Sequence, residues 1–177
     1  MPFYLAGLNR IISRDNGIIS FIVKSKDREH IACIDEEDEY VLKRTWHASL
    51  TKKGSVGSIR ANRKRRSIAL HRFILNVLET EITIDHIDGN PLNNTRKNLR
   101  QCTTAQNMRN QKLKSTNTTG FKGVFRHGER FRAQIMFNYK SIHLGIFDTA
   151  EDAHSAYKVA AQKYFGEFVR LNGTAYD

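Results

Sequence analysis

The chain has 177 residues, of which 40% are hydrophobic, and its 29 Lys and Arg against 18 Asp and Glu give a formal net charge of +11. The hydrophobic fraction is enough for compact cores and argues against wholesale disorder. No apolar run approaches the roughly 20 residues that span a bilayer, and the first residues lack the pattern of a secretory signal. Two cysteines exclude a disulfide framework and a four-thiolate zinc site. We therefore expect a soluble, cytoplasmic protein.

The excess of basic residues extends over the whole chain, because every third of it carries more Lys and Arg than Asp and Glu. A basic balance spread over folded segments is typical of nucleic-acid binding, since neutralised phosphates release counterions. A ribosomal or chaperone-bound protein, or a binder of anionic lipid, has a similar composition. Composition alone leaves these classes open.

The first 66 residues predict a strand-rich region. Apolar, β-branched runs predict strands at 18–24, 30–34, 46–51, 56–61 and 66–70. Acidic residues at 35–39 and basic residues at 43–44 suit the dipole of a helix over 35–45. Trp46 is expected in the core.

A second region is predicted over residues 67–112. The run LHRFILNVL, from Leu70, has the apolar spacing of a helix. A strand over 81–85, a long polar stretch, a strand over 99–102 and a short helix follow. Residues 113–118 are polar, lack apolar periodicity and predict a linker.

Four polar side chains of this second region are spaced so that three elements can bring them together. Asp85 and His86 end one strand, Asn98 begins the next, and Asn107 lies one turn into the helix. Carboxylate and amide oxygens suit one magnesium or manganese ion. A neutral imidazole beside that ion can take a proton from water, as phosphodiester hydrolysis requires. Asn and Asp are also common turn formers, so the pattern alone leaves a purely structural loop open.

The strings LHRFIL and IDHIDGNPLNNTRKNLRQCTTAQNMRN resemble the HNH endonuclease family, in the variant common among phage and intron-encoded homing enzymes. The resemblance implies a ββα-metal nuclease core with His86 as the general base. It also implies that Asp85 and Asn107 hold the single divalent metal, and that Asn98 secures the loop and orients the histidine. At the last position this chain has Asn107, where the family name has His. His71, which precedes the motif in similar sequences too, is expected to be structural.

Residues 119–173 predict three strands, at 119–126, 130–138 and 141–147, and one helix. Asp148 or Thr149 is expected to cap the helix and Gly166 to end it. Along the second strand, alternation places four side chains on the face turned away from the helix: Arg130, Arg132, Gln134 and Met136.

The segments GFKGV, RAQI, LGIFDTAEDAHSAY and RLN resemble the DNA-binding domain of plant ethylene-response factors, the APETALA-two type. In that family the three-stranded sheet enters the major groove of double-stranded DNA. The resemblance implies base contacts from the polar face, where Arg and Gln can contact guanine and adenine edges. Lys122, Arg126 and His143 match or neighbour family contact positions. His143 stands where plant domains have Trp and Lys122 where they have Arg, so the plant recognition sequence is not carried over.

Together these patterns predict an α+β protein that is a sequence-directed, divalent-metal-dependent DNA endonuclease, a nicking homing enzyme in a phage or intron setting. If phage-encoded, it would work in the cytoplasm of a bacterial host. A DNA-binding regulator with an inactive nuclease centre is the alternative. An RNA-binding protein is disfavoured, because the A-form major groove is too narrow for a sheet. One candidate centre and no heptad run predict a monomer.

Overall fold

The computed structural model describes residues 9–63, 66–110, 113 and 116–169. The chain divides into two compact units, Met1–Thr103 and Thr104–Asp177. The predicted linker over 113–118 and the end of the predicted last region at 173 lie partly outside the described residues. No helix within the described ranges is long and apolar enough to cross a membrane.

A six-stranded sheet forms the base of the first unit, as far as it is described. Its strands are β1 (Ile11–Asp15), β2 (Ile18–Ser25), β3 (Arg28–Asp35), β4 (His47–Leu50), β5 (Val56–Arg63) and β6 (Arg66–Ala69). β2 is central, because it pairs antiparallel with β3 and β1 and meets β4 in a parallel bridge at Lys24. The sequence predicted β2 to β6. It missed β1, whose last four residues are exposed and carry no apolar alternation.

Trp46 lies in the core of this unit, as predicted, with Phe21, Ile34 and Leu70. Its indole N–H donates to the carbonyl oxygen of Val41 at 2.9 Å, so the buried polar atom is satisfied. Burial of several large side chains on one side of the sheet holds the first unit together.

The predicted helix over 35–45 is a 3₁₀ helix at Glu36–Lys43. Ion pairs to distant residues fix it from two sides: Arg14 pairs with Glu39, and Arg96 pairs with Glu37 and Asp38. Asp38 is completely buried, and Arg96 donates to both of its carboxylate oxygens, at 2.7 and 2.9 Å. These tertiary contacts hold the acidic run in place.

The helix predicted from Leu70 is shorter than its apolar pattern. It covers Leu70–Ile74 (α1), and Asn76, with φ 51°, stops it. Asn is one of the few residues that adopt this left-handed conformation at a helix end. Leu78, predicted on the apolar face, is therefore exposed.

Two antiparallel strands, β7 (Thr83–His86) and β8 (Leu99–Cys102), follow α1 and complete the first unit. A 3₁₀ turn at Arg96–Asn98 leads into β8. The second strand has the predicted bounds. The helix that was predicted after it is α2 (Thr104–Asn110), which belongs to the second unit.

The second unit contains a three-stranded antiparallel sheet of β9 (Val124–His127), β10 (Arg130–Phe137) and β11 (Lys140–Phe147), with β10 in the centre. Helix α3 (Ala150–Phe165) packs on it through small side chains, and a 3₁₀ turn at Gly166–Phe168 follows. The Thr149 hydroxyl accepts from the Asp152 N–H at 3.1 Å, which confirms the predicted cap. Gly123 has φ 71°, and a Cβ there would come within 2.0 Å of the Tyr157 ring, so the close contact requires glycine.

Helix α2 packs within this second unit. The Arg109 guanidinium lies 4.3 Å from the centre of the Phe165 ring. The Lys122 ammonium donates to the Arg109 carbonyl oxygen at 2.9 Å, and a cation there suits the carbonyl end of a helix.

Arg96→Met should lower the free energy of unfolding of the first unit by about 3 kcal/mol, because it leaves the Asp38 carboxylate buried without its partner. Arg14→Met removes an ion pair whose two side chains are about half exposed, and should have little effect on the free energy of unfolding. Urea denaturation of both variants measures the difference. Equal losses of unfolding free energy in the two variants would show that the buried Arg96–Asp38 pair stabilises the unit no more than the exposed Arg14–Glu39 pair.

Candidate active site

The β7–β8 hairpin places Asp85 and His86 at the point where the first strand ends. Asp85 pairs with Arg100 and His86 with Leu99 across the two strands. A polar loop, residues 87–98, connects the strands. The sequence therefore positions a carboxylate and an imidazole on neighbouring residues beside a long loop.

Asn98 secures this loop from within. Its side-chain oxygen accepts from the Asp88 N–H at 3.0 Å, and its amide donates to Asp88 Oδ1 at 3.0 Å and to the Asn93 carbonyl oxygen at 2.8 Å. Asn98 is buried, so these bonds are shielded from water. They are the contacts expected of a loop-securing residue.

Asp88 serves the loop as a turn former. Its Oδ1 also accepts from the Asn90 N–H at 2.7 Å, and its Oδ2 accepts from the Asn93 amide at 2.8 Å. Burial raises the pKa of Asp88, but the hydrogen bonds from Asn90, Asn93 and Asn98 outweigh it and leave the pKa below its ordinary value. Its oxygens are used inside the loop.

The loop is attached to the edge of β3 in the N-terminal sheet. The Cys33 N–H donates to the Leu92 carbonyl oxygen at 3.0 Å, and the Cys33 carbonyl oxygen accepts from the Asn94 N–H at 2.8 Å. The Arg96 N–H donates to the Asp35 carboxylate at 2.6 Å. The N-terminal region thereby supports the candidate site.

Asn94 contacts the candidate base. Its side chain is fully buried, its amide donates to the Pro91 carbonyl oxygen at 3.0 Å, and its Oδ1 lies 3.4 Å from His86 Nε2. An oxygen at Nε2 favours the tautomer with the proton on Nε2, in which Nδ1 carries the lone pair. The sequence assigned the orienting role to Asn98, whereas the structure places Asn94 against the ring.

Burial lowers the pKa of His86 below its ordinary value, against the contact with Asn94 and the charges of Asp88 and Asp85, which raise it. The imidazole is therefore neutral near pH 7. A general base must be in this form to accept a proton.

His71 packs against this imidazole from α1. The two ring centres are 5.2 Å apart and the rings are nearly perpendicular, at 86°. Its buried Nδ1 has no hydrogen-bond partner among the described residues. Burial, with the neighbouring His86, Arg72 and Arg60, lowers the pKa of His71 to about 3. A neutral ring in this position fits the predicted structural role.

Asp85 is buried and pairs with Arg100. The guanidinium donates to Oδ2 twice, from Nε at 3.0 Å and from Nη2 at 2.8 Å. Sequence reasoning missed Arg100, although pairing of the two predicted strands places position 100 opposite position 85. The arginine offsets the charge of a carboxylate that would otherwise be costly to bury.

Comparisons with known proteins identify a family model over this hairpin and two similar viral proteins. A family model described as HNH endonuclease matches residues 78–109. The chain is 35% identical over 108 residues to an uncharacterised HNH endonuclease of Acanthamoeba polyphaga mimivirus, which covers 58% of this chain and 56% of that protein. It is also 35% identical over 90 residues to Protein 3.8 of Escherichia phage T7, covering 50% of this chain and 74% of that protein. Residues 78–109 are an HNH endonuclease family domain, and the chain spans about half the length of the mimivirus relative. No solved structure matches it significantly.

The HNH motif offers ligands of the type that a hard divalent cation prefers. Asp85 supplies a buried carboxylate beside His86, and Asn107, in α2, carries an amide oxygen. The described residues contain no group of three or more His, Cys, Asp and Glu that could hold a metal. A carboxylate such as that of Asp85 suits a magnesium or manganese ion, whose remaining positions phosphate and water can fill.

The structure brings five of the seven predicted DNA-binding side chains onto one face of the second unit's sheet. Alternation along β10 and the pairing of Gln134 with His143 place them there: Arg130, Arg132, Gln134, Met136 and His143. Arg126 pairs with Phe131 and lies over its ring, 5.5 Å from the centre, on the opposite face. Lys122 precedes β9 and binds α2. A DNA contact by these last two residues stays a prediction.

Asn94→Ala should reduce the rate of DNA cleavage about 10- to 100-fold with little change in DNA affinity, because it frees the imidazole to rotate. Asn94→Asp keeps an acceptor oxygen and adds a negative charge, so it should retain more activity and need a higher pH for it. Asn62→Ala, an exposed change in β5, is the control. If Asn94→Ala weakens DNA binding as much as cleavage, Asn94 does not position the base.

Acid should destabilise the protein through His71. Its pKa is about 3 in the folded chain and 6.5 otherwise, so below pH 6.5 the unfolded state binds a proton that the native state does not. We expect the free energy of unfolding to fall by about 1–2 kcal/mol between pH 7 and pH 5 from this residue. His71→Leu should remove that part, and His127→Leu, at an exposed position, should not. Urea denaturation at both pH values measures it, and an unchanged pH dependence in His71→Leu contradicts it.

Proposed function

We propose that this protein is a divalent-metal-dependent endonuclease that hydrolyses a phosphodiester bond of double-stranded DNA. One observation carries the proposal: a neutral imidazole, held by a buried amide, lies next to a buried carboxylate in the segment that the HNH family model matches.

In the proposed reaction, His86 takes a proton from a water molecule through Nδ1, and the hydroxide forms a new bond to phosphorus. The scissile P–O bond of the DNA backbone breaks, and the departing oxygen takes a proton from the solvent. Proton transfer turns a neutral ring into an imidazolium. The charges of Asp88 and Asp85 raise the pKa of His86, so they stabilise that product of the transfer. Asn94 limits rotation of the ring, and Asn98 keeps the loop in place.

Asp85 and Asn107 would hold one magnesium or manganese ion. When bound, the ion stabilises negative charge on the phosphoryl oxygens and the leaving oxygen. Arg100 stays available as a second positive group beside Asp85. Before a cation binds, it keeps the buried carboxylate from being left uncompensated.

The sheet of the second unit is proposed to recognise DNA sequence, as in the ethylene-response-factor type of domain that it resembles. Arg132 and Gln134 are the outward residues suited to bidentate contacts with bases. The net charge of +11 supports binding to the phosphate backbone.

We propose a monomer that nicks one strand, because one chain carries one candidate centre. Both relatives named above are viral, and one of them is from a phage, which supports the proposal of a phage-type homing enzyme that works in the cytoplasm of a bacterial host. A DNA-binding regulator with an inactive centre remains the second candidate. The presence of Asp85, His86, Asn98 and Asn107 together argues against it.

The full chain, incubated with supercoiled plasmid carrying its site and magnesium, should produce open circles before any linear form, and a chelator should stop it. His86→Ala should lose this cleavage by at least about 100-fold while keeping DNA affinity, because a base acts on the transition state. His30→Ala, in β3, is the matched control. Binding without metal-dependent cleavage by the unaltered chain would favour the regulator.

A further inference from the structure

The outward face of the β9–β10–β11 sheet exposes apolar side chains among its polar ones. Met136 is 60% exposed, Phe125 43% and Ile146 37%. Single exposed apolar residues are ordinary on protein surfaces. Here three of them share one face with Arg132 and Gln134, the residues proposed to contact bases.

Strand pairing orders these side chains into rows across the sheet. Phe125 and Ile146 lie directly opposite Arg132, one on each side. The Arg132 guanidinium lies 5.8 Å from the centre of the Phe125 ring and has no carboxylate partner among the described residues. An arginine that is ready to donate is therefore flanked on both sides by apolar groups.

The charge of this face selects a nucleic acid as its occupant. The outward positions of the three strands carry Arg and His and no acidic residue: Phe125, His127, Arg130, Arg132, Gln134, Met136, Ser141, His143 and Ile146. Arg130 pairs with Asp148 at the end of the sheet, at 2.7 Å. Among the described residues, Arg132 is therefore the arginine of this face that has no carboxylate partner. A purely apolar partner surface would leave that cation buried without compensation.

One chemical group of the DNA major groove matches an apolar side chain, namely the C5 methyl of thymine. Neighbouring outward residues of a strand are about 6.8 Å apart, which is about two base-pair steps of 3.4 Å. Arg132 and Met136 are thus separated by about four steps. Apolar contacts beside Arg132 and at Met136 can fall within one short site.

We propose that this face recognises thymine methyl groups in duplex DNA, next to a guanine bound by Arg132 and again near Met136. The inference rests on the proposed function, in which the sheet enters the major groove. It adds the class of sequence: a site with thymines beside its guanine. Double-stranded RNA lacks both the methyl group and a groove wide enough for the sheet.

Deoxyuridine tests the inference, because it removes only the methyl group of thymine. A duplex that the full chain binds is first selected from random sequences. The full chain carrying His86→Ala is then titrated by fluorescence anisotropy against that duplex and against versions in which single thymines are replaced by deoxyuridine. We expect about a fourfold weaker affinity at two or more positions, as the burial of one methyl group predicts. Replacement of thymines outside the bound site is the control and should leave the affinity unchanged.

Variants assign each position. Met136→Ala and Ile146→Ala should each weaken binding to the thymine-containing duplex. In each variant, deoxyuridine should no longer reduce the affinity at one position, and should still reduce it at the others. Val159→Ala, an equally apolar and exposed change on α3, should keep every penalty. Tight duplex binding with no deoxyuridine effect anywhere overturns the inference while leaving the proposed function intact. Absence of duplex binding contradicts the proposed function itself. A change of oligomeric state in Met136→Ala, without any effect of deoxyuridine, would show that the face contacts a protein and would overturn the inference.

Discussion

The attachment of the 87–98 loop to the N-terminal sheet is the interaction on which the candidate site depends. A polar loop of this length is costly to order, because each fixed residue loses conformational entropy. Here the cost is offset by backbone bonds between the loop and Cys33, and by the pairing of Arg96 with the fully buried Asp38. The strand-rich front of the chain thus has a clear role, which is to hold the loop that carries Asn94 against His86.

Two opposing electrostatic effects set the protonation state of His86, the proposed base. Burial disfavours the charged imidazolium and lowers the pKa of His86, whereas the carboxylates of Asp85 and Asp88 favour it. A ring that is neutral at rest, yet surrounded by groups that stabilise its charged form, is suited to accept a proton. His71, which is also neutral, packs against the His86 ring and places no charge beside it.

The sequence predicted what local patterns encode. Apolar, β-branched runs predicted β2 to β6, and alternation predicted the outward face of β10. Capping residues predicted the start and end of α3. The missed features depend on residues distant in the chain. Arg96 and Asp38 are 58 residues apart, and the link between Cys33 and the loop spans about as many. Neither leaves a local signal.

Within the site, the sequence predicted where the functional residues lie in the fold better than it predicted their hydrogen-bond partners. The motif located Asp85 and His86 at the end of a strand, and the structure agrees. The partners Asn94 and Arg100 became visible only with the folded loop and the strand register, because hydrogen-bond partners follow from three-dimensional contacts. Asn107 stays predicted as a ligand from the motif alone.

We propose that His86, kept neutral by its surroundings, is the base of an endonuclease. NMR titration of the His86 imidazole in the full chain, together with the pH dependence of single-turnover cleavage, tests this role. We expect a proton on Nε2, a pKa of His86 below 6.5, and a cleavage rate that falls with decreasing pH through that same pKa. An imidazole that titrates above pH 6.5, or a cleavage rate that does not change as His86 titrates, would show that His86 is not the base.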